Sequence, residues 1–240
     1  MGLSQTGLQP EDFSRGARGL PKVQVLGLGA GGHAKVVIEI LRLMEDVEVV
    51  ALLDSNDTLW RSHVLGVPVL GGDDLLPDLY GKGIRTFFVG VGATGDMGPR
   101  RRLYRSTRAH GFDAITAIHP TAVISRTAQI GVGGTVMAGA IINAGAQIGE
   151  DVIVNSGALV EHDCVIGDHV HIAPGAKLAS GVLVGDGSHI GLGAAIIQGK
   201  RIGRNAVVGA GAVVVRDIPD DVVVTGVPAR VLRTRSGGDD

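Results

Sequence analysis

Aromatic residues and cysteine are scarce in this sequence. Phe, Trp and Tyr together make up 3% of the 240 residues, which excludes a core built on stacked rings. A single cysteine excludes a disulfide framework and any zinc or iron–sulfur site built on several thiolates. It also suits the reducing cytoplasm, where we expect the protein to be located. The formal net charge is only -2, so no broad field attracts the chain to nucleic acid or to an acidic membrane surface.

The sequence also lacks a recognisable membrane signal. Residues 1–21 contain no apolar core of the kind found in signal peptides, and we expect them to form a flexible tail. Residues 127–149 carry no charge and are long enough to span a bilayer. Their glycines and amides would, however, lie on every face of a helix, and they keep a six-residue rhythm that a membrane helix does not need. We therefore expect no membrane insertion.

Glycine, by contrast, is abundant, with 39 residues, and the second half of the chain repeats every six residues. From Ile118 to Val214, seventeen positions spaced by six are all Ile, Val or Leu. Four residues after each of these anchors the residue is mostly small; Ala158, Cys164 and Ala176 are examples. A period of six fits neither a lone helix nor a hairpin sheet. It predicts a triangular coil of short strands and tight turns, in which residues 18 apart stack in adjacent coils.

The first half reads differently. A strand candidate, KVQVLGL, runs into a glycine turn and a helix, GAGGHAKVVIEILRLM, and a second strand, VEVVALLD, follows. A third strand, RTFFVGVG, and another helix, GPRRRLYRSTRAHG, come next. This order predicts a small βαβ unit with a parallel sheet. We therefore divide the chain into a tail (1–21), a βαβ module (22–117), a repeat domain (118–219) and a C-terminal extension (220–240).

The glycine turn of the module has three interpretations. Gly27, Gly29 and Gly32 satisfy G-x-G-x-x-G, and Asp54 ends the second strand, as in NAD-binding folds. The module is nevertheless too small for both halves of a dinucleotide-binding fold. A glycine turn at a helix N-terminus still suits a phosphate or the polar groups of a sugar. We favour a nucleotide sugar over NAD, and use of the turn only for packing stays open.

The hexapeptide pattern resembles the left-handed parallel β-helix of the hexapeptide-repeat acyltransferases. Together with GAGGHAKVV, LLDSN, IHPTA and NSGALVEHDCVIGDHVHIAPGA, the chain from Lys22 to Leu232 resembles the bacterial sugar O/N-acetyltransferases of the sialic-acid and bacillosamine type. The resemblance implies an α/β, Rossmann-like βαβ subdomain that binds a nucleotide-linked amino sugar, followed by a left-handed β-helix that binds acetyl-CoA. It further implies a homotrimer with no metal requirement and a role in cell-surface glycan biosynthesis.

The resemblance also implies the site residues. It places the catalytic base at His162 and its acidic partner at Asp163, where many relatives carry glutamate. A histidine in the turn after anchor Val160 should point away from the interior, and a carboxylate beside it could orient the ring. For the sugar nucleotide the resemblance implies Gly29, Gly31, Gly32, His33 and Asp54. For acetyl-CoA it implies His171, Ala194 and Arg230.

Other polar residues are expected to be bystanders. His169 should face solvent, and the arginines at 100–102 read as a solvated helix face. His189 lies one coil after His171, so the two rings should stack, with no role assigned to His189. His119 is expected only to cap the repeat domain.

The expected reaction is acetyl transfer to the amine of a 4-amino-4,6-dideoxy sugar by direct attack. O-acetylation of sialic acid or another sugar hydroxyl stays open, as does a non-catalytic scaffold that binds a sugar nucleotide. A zinc-dependent carbonic anhydrase of the same fold would need His162, His169 and His171 to converge on one metal. They are expected to lie on different edges of the coil.

Overall fold

A computed structural model describes residues 22–235. The predicted tail therefore lies outside the described residues. Within them, a six-stranded sheet with helices on both faces is followed by a triangular prism of stacked coils, a left-handed parallel β-helix. The predicted fold class is confirmed. Between residues 22 and 235 no helix is both long and apolar enough to cross a bilayer. The uncharged stretch 127–149 instead forms four short strands of the prism.

The sheet of the N-terminal module has the strand order β3-β4-β2-β1-β5-β6 and is parallel except for β3. The predicted strands and helices are present; β3, β4, β6 and the short α2 were not predicted. The bounds are β1 Val23–Leu28, α1 Gly32–Arg42, β2 Val47–Leu53, β3 His63–Val64, β4 Val67–Gly71, α2 Leu76–Gly81, β5 Thr86–Val89, α3 Gly98–Ala109 and β6 Asp113–Ala114.

The prism has three faces, each a stack of two-residue strands. The first face contains β7 Ala117–Ile118, β10 Thr135–Val136, β13 Ile153–Val154, β16 His171–Ile172, β19 His189–Ile190 and β22 Val207–Val208. The second contains β8 Val123–Ile124, β11 Ile141–Ile142, β14 Leu159–Val160, β17 Lys177–Leu178, β20 Ala195–Ile196 and β23 Val213–Val214. The third contains β9 Gln129–Ile130, β12 Gln147–Ile148, β15 Val165–Ile166, β18 Leu183–Val184 and β21 Arg201–Ile202.

The pairing register confirms the predicted 18-residue coil. Ile141 pairs with Leu159, and His171 pairs with His189, in parallel strands. The aliphatic anchors fill the interior together with the small residue of each hexad; Val160 and Cys164, for example, are both fully buried. Burial of these aliphatic side chains, at about 25 cal/mol per Å² of apolar surface, is the main force holding the coils together.

From Gly133 to Gly211 the turns between faces carry one residue with positive φ in each hexad, whereas the first two turns, at Thr121 and Thr127, do not. Glycine takes this position in most turns, as at Gly157 (φ 64°) and Gly175 (φ 65°). Four turns carry other residues there, namely Asp151, Asp163, His169 and Asn205. Asp, Asn and His are the non-glycine types that most often adopt this left-handed conformation.

The C-terminal extension closes the prism. Strand β24 (Val222–Thr225) adds in parallel to β22, and β25 (Arg230–Thr234) folds back antiparallel on β24. The turn between them contains a cis Val227–Pro228 bond. The GVPAR segment therefore forms the reversal between two strands at one end of the first face.

A buried ion pair joins the module to the prism. Arg100 on α3 lies 2.7 Å from Asp151, and their side chains are 1% and 0% exposed. The other carboxylate oxygen of Asp151 lies 2.9 Å from Nδ1 of His169. The expectation that Arg100 belongs to a solvated face is therefore wrong, as is the expectation that His169 faces solvent. Both side chains are turned inward because each contacts the same buried carboxylate.

Three further contacts support this interface. The Tyr104 hydroxyl donates to Glu150 at 2.9 Å, and Nδ1 of His171 donates to the carbonyl of Ala93 at 2.6 Å. The buried side of α1, including Ile38, packs in one apolar cluster with Met137 and Ile153 of the prism. The module is thus fixed to the first face and to the corner between the third and first faces.

We expect Asp151→Asn to destabilise the protein by about 3–5 kcal/mol, because it leaves the guanidinium of Arg100 buried without its counter-charge. Asparagine tolerates the left-handed conformation at this turn, so the change isolates the charge. Urea unfolding measures the loss. In the matched control, Asp113→Asn breaks the exposed pair with Arg108 and should cost less than about 1 kcal/mol. Equal effects of the two changes would contradict the role assigned to the buried pair.

We also expect stability to fall in mild acid. Burial, together with the nearby His189 and Arg100, lowers the pKa of His171 to about 4, against a smaller opposing effect of the Ala93 hydrogen bond. Between pH 4 and the unfolded pKa of about 6.5, the unfolded chain binds the extra proton. The stability that the neutral His171 ring contributes should therefore be complete above about pH 6.5. As the pH falls to about 4, the free energy of unfolding should decrease by about 2–4 kcal/mol.

The measurement is chemical unfolding at several pH values. His171→Gln should flatten the slope in this window, whereas His63→Gln, at an exposed position of β3, should not. His33 and His189 also have lowered pKa values and add to the slope with the same sign. A wild-type stability that does not change between pH 7 and 4.5 would contradict the prediction.

Candidate active site

The glycine turn after β1 forms the floor of the first cavity. Gly29 has a φ of +102°, and a Cβ there would lie 2.7 Å from the Val91 side chain, so only glycine fits. Asp54, at the end of β2, accepts from the backbone N–H of Ala30 at 2.7 Å and from that of Asn56 at 2.8 Å. Asp54 therefore holds the glycine turn in place while its carboxylate lines the same space.

We call this space the glycine-turn cavity. It has a volume of about 420 Å³ and is lined by Gly29, Asp54, Ser55, Asp73, Arg102 and Ser106. Burial and the carboxylates of Asp54 and Asp74 raise the pKa of Asp73. The cavity thus combines acidic hydrogen-bond acceptors on one side with a guanidinium on the other, at the carboxyl ends of parallel strands, where ligands of α/β sheets bind.

A second cavity, the module–prism cavity, lies between α1 and the prism. Its volume is about 420 Å³, and Gly32, His33, Gly92, Met137, Asn155 and His171 are among its lining residues. Gly31 is the N-cap residue of α1, which begins at Gly32. A Cβ added at Gly32 would meet no atom within 4 Å, so glycine at this position leaves space next to the helix N-terminus.

The third cavity, the corner cavity, follows the edge between the first and second faces. It has a volume of about 450 Å³, and its walls include Thr94, His171, His189, Leu192, Gly209 and Ala210. Thr94, Asn155 and His171 line both this cavity and the module–prism cavity. The two spaces are therefore adjacent and could hold two ligands whose ends meet near His171.

The ring of His33 is a neutral imidazole. Burial, followed by the positive charge of Arg100 and by His171, lowers the pKa of His33 to about 3. Its Nε2 lies 3.3 Å from Nη1 of Arg100. His33 lines the module–prism cavity, and its contact with a sugar stays a prediction.

Both ring nitrogens of His171 already have partners in the protein. Nδ1 donates to Ala93, and Nε2 accepts from the Asn155 amide at 3.0 Å. The Oδ1 atom of Asn155 accepts from the backbone N–H of Ser156 at 2.8 Å, which fixes the orientation of the amide. His171 therefore contributes the edge of its ring to the cavity wall, and the second N–H of the Asn155 amide remains as a donor. Sequence reasoning missed Asn155.

His189 stacks on His171 as predicted from their spacing. The ring centroids are 4.8 Å apart in an edge-to-face arrangement. Burial and the positive charge of Arg235 lower the pKa of His189. Neutral rings in this position form an apolar wall of the corner cavity.

His162 and Asp163 form a contact in an exposed turn between the second and third faces. Nδ1 of His162 lies 2.8 Å from Oδ2 of Asp163, and the side chains are 56% and 74% exposed. Asp163 has a φ of 60°, so it takes the position of the turn glycine. When Nδ1–H donates to the carboxylate, the lone pair of Nε2 points away and is free to accept a proton. This is the geometry of a base and its orienting acid.

The structure does not bring all predicted site residues together within one chain. The chain runs from Asn155, at the corner between the first and second faces, through β14 to His162 at the next corner. The three cavities lie beside the module and the first of these corners, so His162 occupies a different edge of the prism.

Two predicted cofactor residues are also placed elsewhere. The methyl group of Ala194 is fully buried in the prism interior, and its peptide N–H and C=O pair with Gly191 and Lys177. The side chain of Ala194 therefore does not line a groove, and a role of the turn around it in binding acetyl-CoA stays a prediction. Arg230 is exposed at the start of β25, where its guanidinium donates to its neighbour Ala229.

Within residues 22–235, no three His, Cys, Asp or Glu side chains are grouped so that they could hold a metal ion. The three histidines of the carbonic anhydrase interpretation have separate partners: Asp163 for His162, Asp151 for His169, and Ala93 for His171.

Comparison with known proteins identifies both parts of the chain. The PglD N-terminal domain family matches residues 24–107, and the bacterial transferase hexapeptide (six repeats) family matches residues 163–198. A curated relative, UDP-N-acetylbacillosamine N-acetyltransferase of Bacillus subtilis, is 39% identical over 116 residues. The match covers 46% of this chain and 50% of the relative, so the chain matches about half the length of that protein.

Solved structures match over more of the chain. A histidine-to-asparagine variant of perosamine N-acetyltransferase from Caulobacter crescentus, in complex with CoA and GDP-perosamine, is 46% identical with a TM-score of 0.81. The match covers 90% of this chain and 97% of that one. The acetyltransferase domain of PglB from Neisseria gonorrhoeae FA1090, in complex with acetyl coenzyme A, is 39% identical with a TM-score of 0.80 over 88% of this chain and all of that one. The chain therefore belongs to the hexapeptide-repeat, acetyl-CoA-dependent N-acetyltransferases of nucleotide-linked amino sugars.

Proposed function

We propose that the protein transfers the acetyl group of acetyl-CoA to the amine of a nucleotide-linked 4-amino-4,6-dideoxy sugar. The observation that carries the proposal is the exposed His162–Asp163 pair, an oriented base on the same prism that forms one wall of the corner cavity. The complexes of similar proteins with CoA, acetyl coenzyme A and GDP-perosamine support this choice of donor and acceptor.

The two ligands would divide between the two parts of the chain. Residues 22–117 would hold the sugar nucleotide, with its diphosphate near the glycine turn and Arg102 and its sugar beside His33. Residues 118–219 would hold the pantetheine arm of acetyl-CoA in the corner cavity along His171. Arg230, exposed on the C-terminal extension, would contact the CoA phosphates.

In the proposed mechanism the acceptor amine attacks the thioester carbonyl directly. Nε2 of His162 takes one proton from the attacking nitrogen, and Asp163 stabilises the imidazolium that forms. A backbone N–H holds the oxyanion of the tetrahedral intermediate. Collapse of this intermediate forms the amide and breaks the carbon–sulfur bond, so the CoA thiolate leaves and is protonated by the imidazolium.

The position of His162 supports a homotrimer as the active form. His162 lies one prism edge away from the cavities of its own chain, so a neighbouring copy would present its own His162 to them. Three prisms related by a threefold axis repeat this contact and close it. Exposed aliphatic side chains such as Val165, 40% exposed, and Leu183, 45% exposed, line the prism faces that would pack together.

The proposal predicts release of CoA thiol from acetyl-CoA in the presence of one nucleotide-linked 4-amino sugar. The assay would test UDP-, GDP-, dTDP- and CMP-linked amino sugars together with free sialic acid. His162→Ala should lower the rate by about 10²–10⁴-fold, because the attacking nitrogen loses its base. Its affinity for acetyl-CoA, measured by calorimetry, should stay unchanged.

Two outcomes would contradict the proposal. Turnover with sialic acid alone would assign the protein to O-acetylation. Binding of a sugar nucleotide without turnover of any acceptor, and with the same affinity in His162→Ala, would show a non-catalytic scaffold.

Asp163→Asn is the matched variant for the acid. It keeps the left-handed turn but removes the carboxylate, and we expect the rate of acetyl transfer to fall about tenfold or more.

We further predict that two inactive variants restore activity when they are co-expressed. Gly32→Phe should fill the module–prism cavity at a position where a side chain meets no nearby atom. His162→Ala removes the base. In mixed trimers some cavities without the phenylalanine would face an intact His162. With random mixing each of the two conditions holds for half of the subunits, so about a quarter of wild-type activity should return.

Separately purified variants mixed without exchange of subunits serve as the control. No recovery in trimers shown by mass spectrometry to be mixed would contradict a site shared between chains.

A further inference from the structure

Arg100 contacts both the candidate sugar site and the prism. Its side chain is 1% exposed, although it lies on a helix whose neighbouring residues include several exposed arginines. Nη1 donates to the carbonyls of Val89 and Val91 at 3.0 and 2.8 Å and lies 3.3 Å from Nε2 of His33. Nη2 contacts Asp151 of the prism.

The chemistry of guanidinium decides the protonation of His33. The two N–H groups of Nη1 are shared among the two carbonyls and Nε2 of His33, so the contact with the ring is the longest and weakest of the three. Because arginine stays charged and has no acceptor, a proton on Nε2 would point at a cation, and Nε2 can contact Arg100 only as an acceptor. The ring proton of a neutral imidazole then lies on Nδ1. The contact with Arg100 therefore selects one of the two neutral tautomers.

Nδ1 is the ring nitrogen of His33 on the side of Gly92. A Cβ built on Gly92 would lie 3.9 Å from Nδ1 of His33, and Gly92 and His33 both line this cavity. The structure gives Nδ1 of His33 no hydrogen-bond partner among residues 22–235, in contrast to the nitrogens of His171. An N–H donor is thus available to a ligand in this space.

We propose that Arg100 is a positioning residue that fixes His33 as a neutral donor, whose Nδ1–H binds an acceptor oxygen of the sugar. The identity of the ligand rests on the function proposed above, whereas the tautomer does not. It follows that His33 orients the acceptor and takes no proton from it, which leaves the role of base proposed for His162 unchanged.

The tautomer can be measured on the wild-type protein without substrate. Long-range ¹H–¹⁵N spectra at pH 7 distinguish a protonated Nδ1 from a protonated Nε2, and loss of the signals in His33→Gln assigns the ring. We expect the proton on Nδ1 and no titration of the ring between pH 5 and 8. A proton on Nε2, or a titration in this range, would overturn the proposal even if the acetyltransferase function is correct.

Kinetics then separate positioning from a structural role. Arg100→Met removes the donor to His33 and the ion pair, while Asp151→Asn weakens the ion pair but keeps the contact between Arg100 and His33. We expect Arg100→Met to raise the KM for the sugar nucleotide about tenfold, the loss of one oriented hydrogen bond. The KM for acetyl-CoA should not change. Asp151→Asn should leave both KM values within about twofold.

The pH profile and a conservative variant complete the test. In Arg100→Met the pKa of His33 should rise, so the affinity for the sugar nucleotide, measured by calorimetry without acetyl-CoA, should weaken in acid more than it does in the wild type. Arg100→Lys, which keeps one charged donor, should restore most of the affinity for the sugar nucleotide. Equal effects of Arg100→Met and Asp151→Asn in folded, trimeric protein would overturn the proposal and leave Arg100 with a structural role alone.

Discussion

The left-handed residue in the turns of the prism from Gly133 to Gly211 is the constraint on which the rest of the structure depends. In these turns the coil changes face with one positive-φ residue per hexad, and glycine adopts this conformation at the lowest cost. Where the turn carries Asp151, Asp163 or His169 instead, the left-handed backbone conformation costs more free energy, and a polar side chain lies at the corner of the prism. Such departures from glycine mark the joint with the module and the candidate base.

The repeat made the prism predictable, because its information is local. Each anchor and each small residue specifies its own position, and the 18-residue offset pairs His171 with His189 and places Asn155 next to the coil that contains His171. The same offset places Asn155 beside Ala173, two residues after His171, and so brings its amide near that ring. The turn position singles out Asp151 and His169, since glycine occupies it in most other coils. Both signals are present in the sequence.

The contacts between module and prism were not predictable in the same way. Arg100 pairs with Asp151, and His171 contacts Ala93, 78 residues away in the sequence. Each contact joins a residue of the module to one of the prism, so the period of the repeat does not predict it. A run of three arginines on a helix usually faces solvent, and only the docking of α3 on the prism turns one of them inward. For Ala194 the small position of its hexad places the side chain in the interior, so the role that the resemblance implies falls to the turn around it.

The parallel register of the prism also limits how this protein can change in length during evolution. Strands pair only with partners one coil away, so an insertion or deletion preserves the pairing only when it comprises a whole coil. The module holds the coils that contain Met137, Asp151 and His171, and His162 lies among them. Loss of a coil there would separate the base from the joint that positions the prism. The coil beyond His189 supplies Gly209 and Ala210 to the corner cavity, and the extension that follows it contacts Asp96 of the module through Arg235. A gain or loss of a coil there would therefore change the length of the groove and move this second contact with the module.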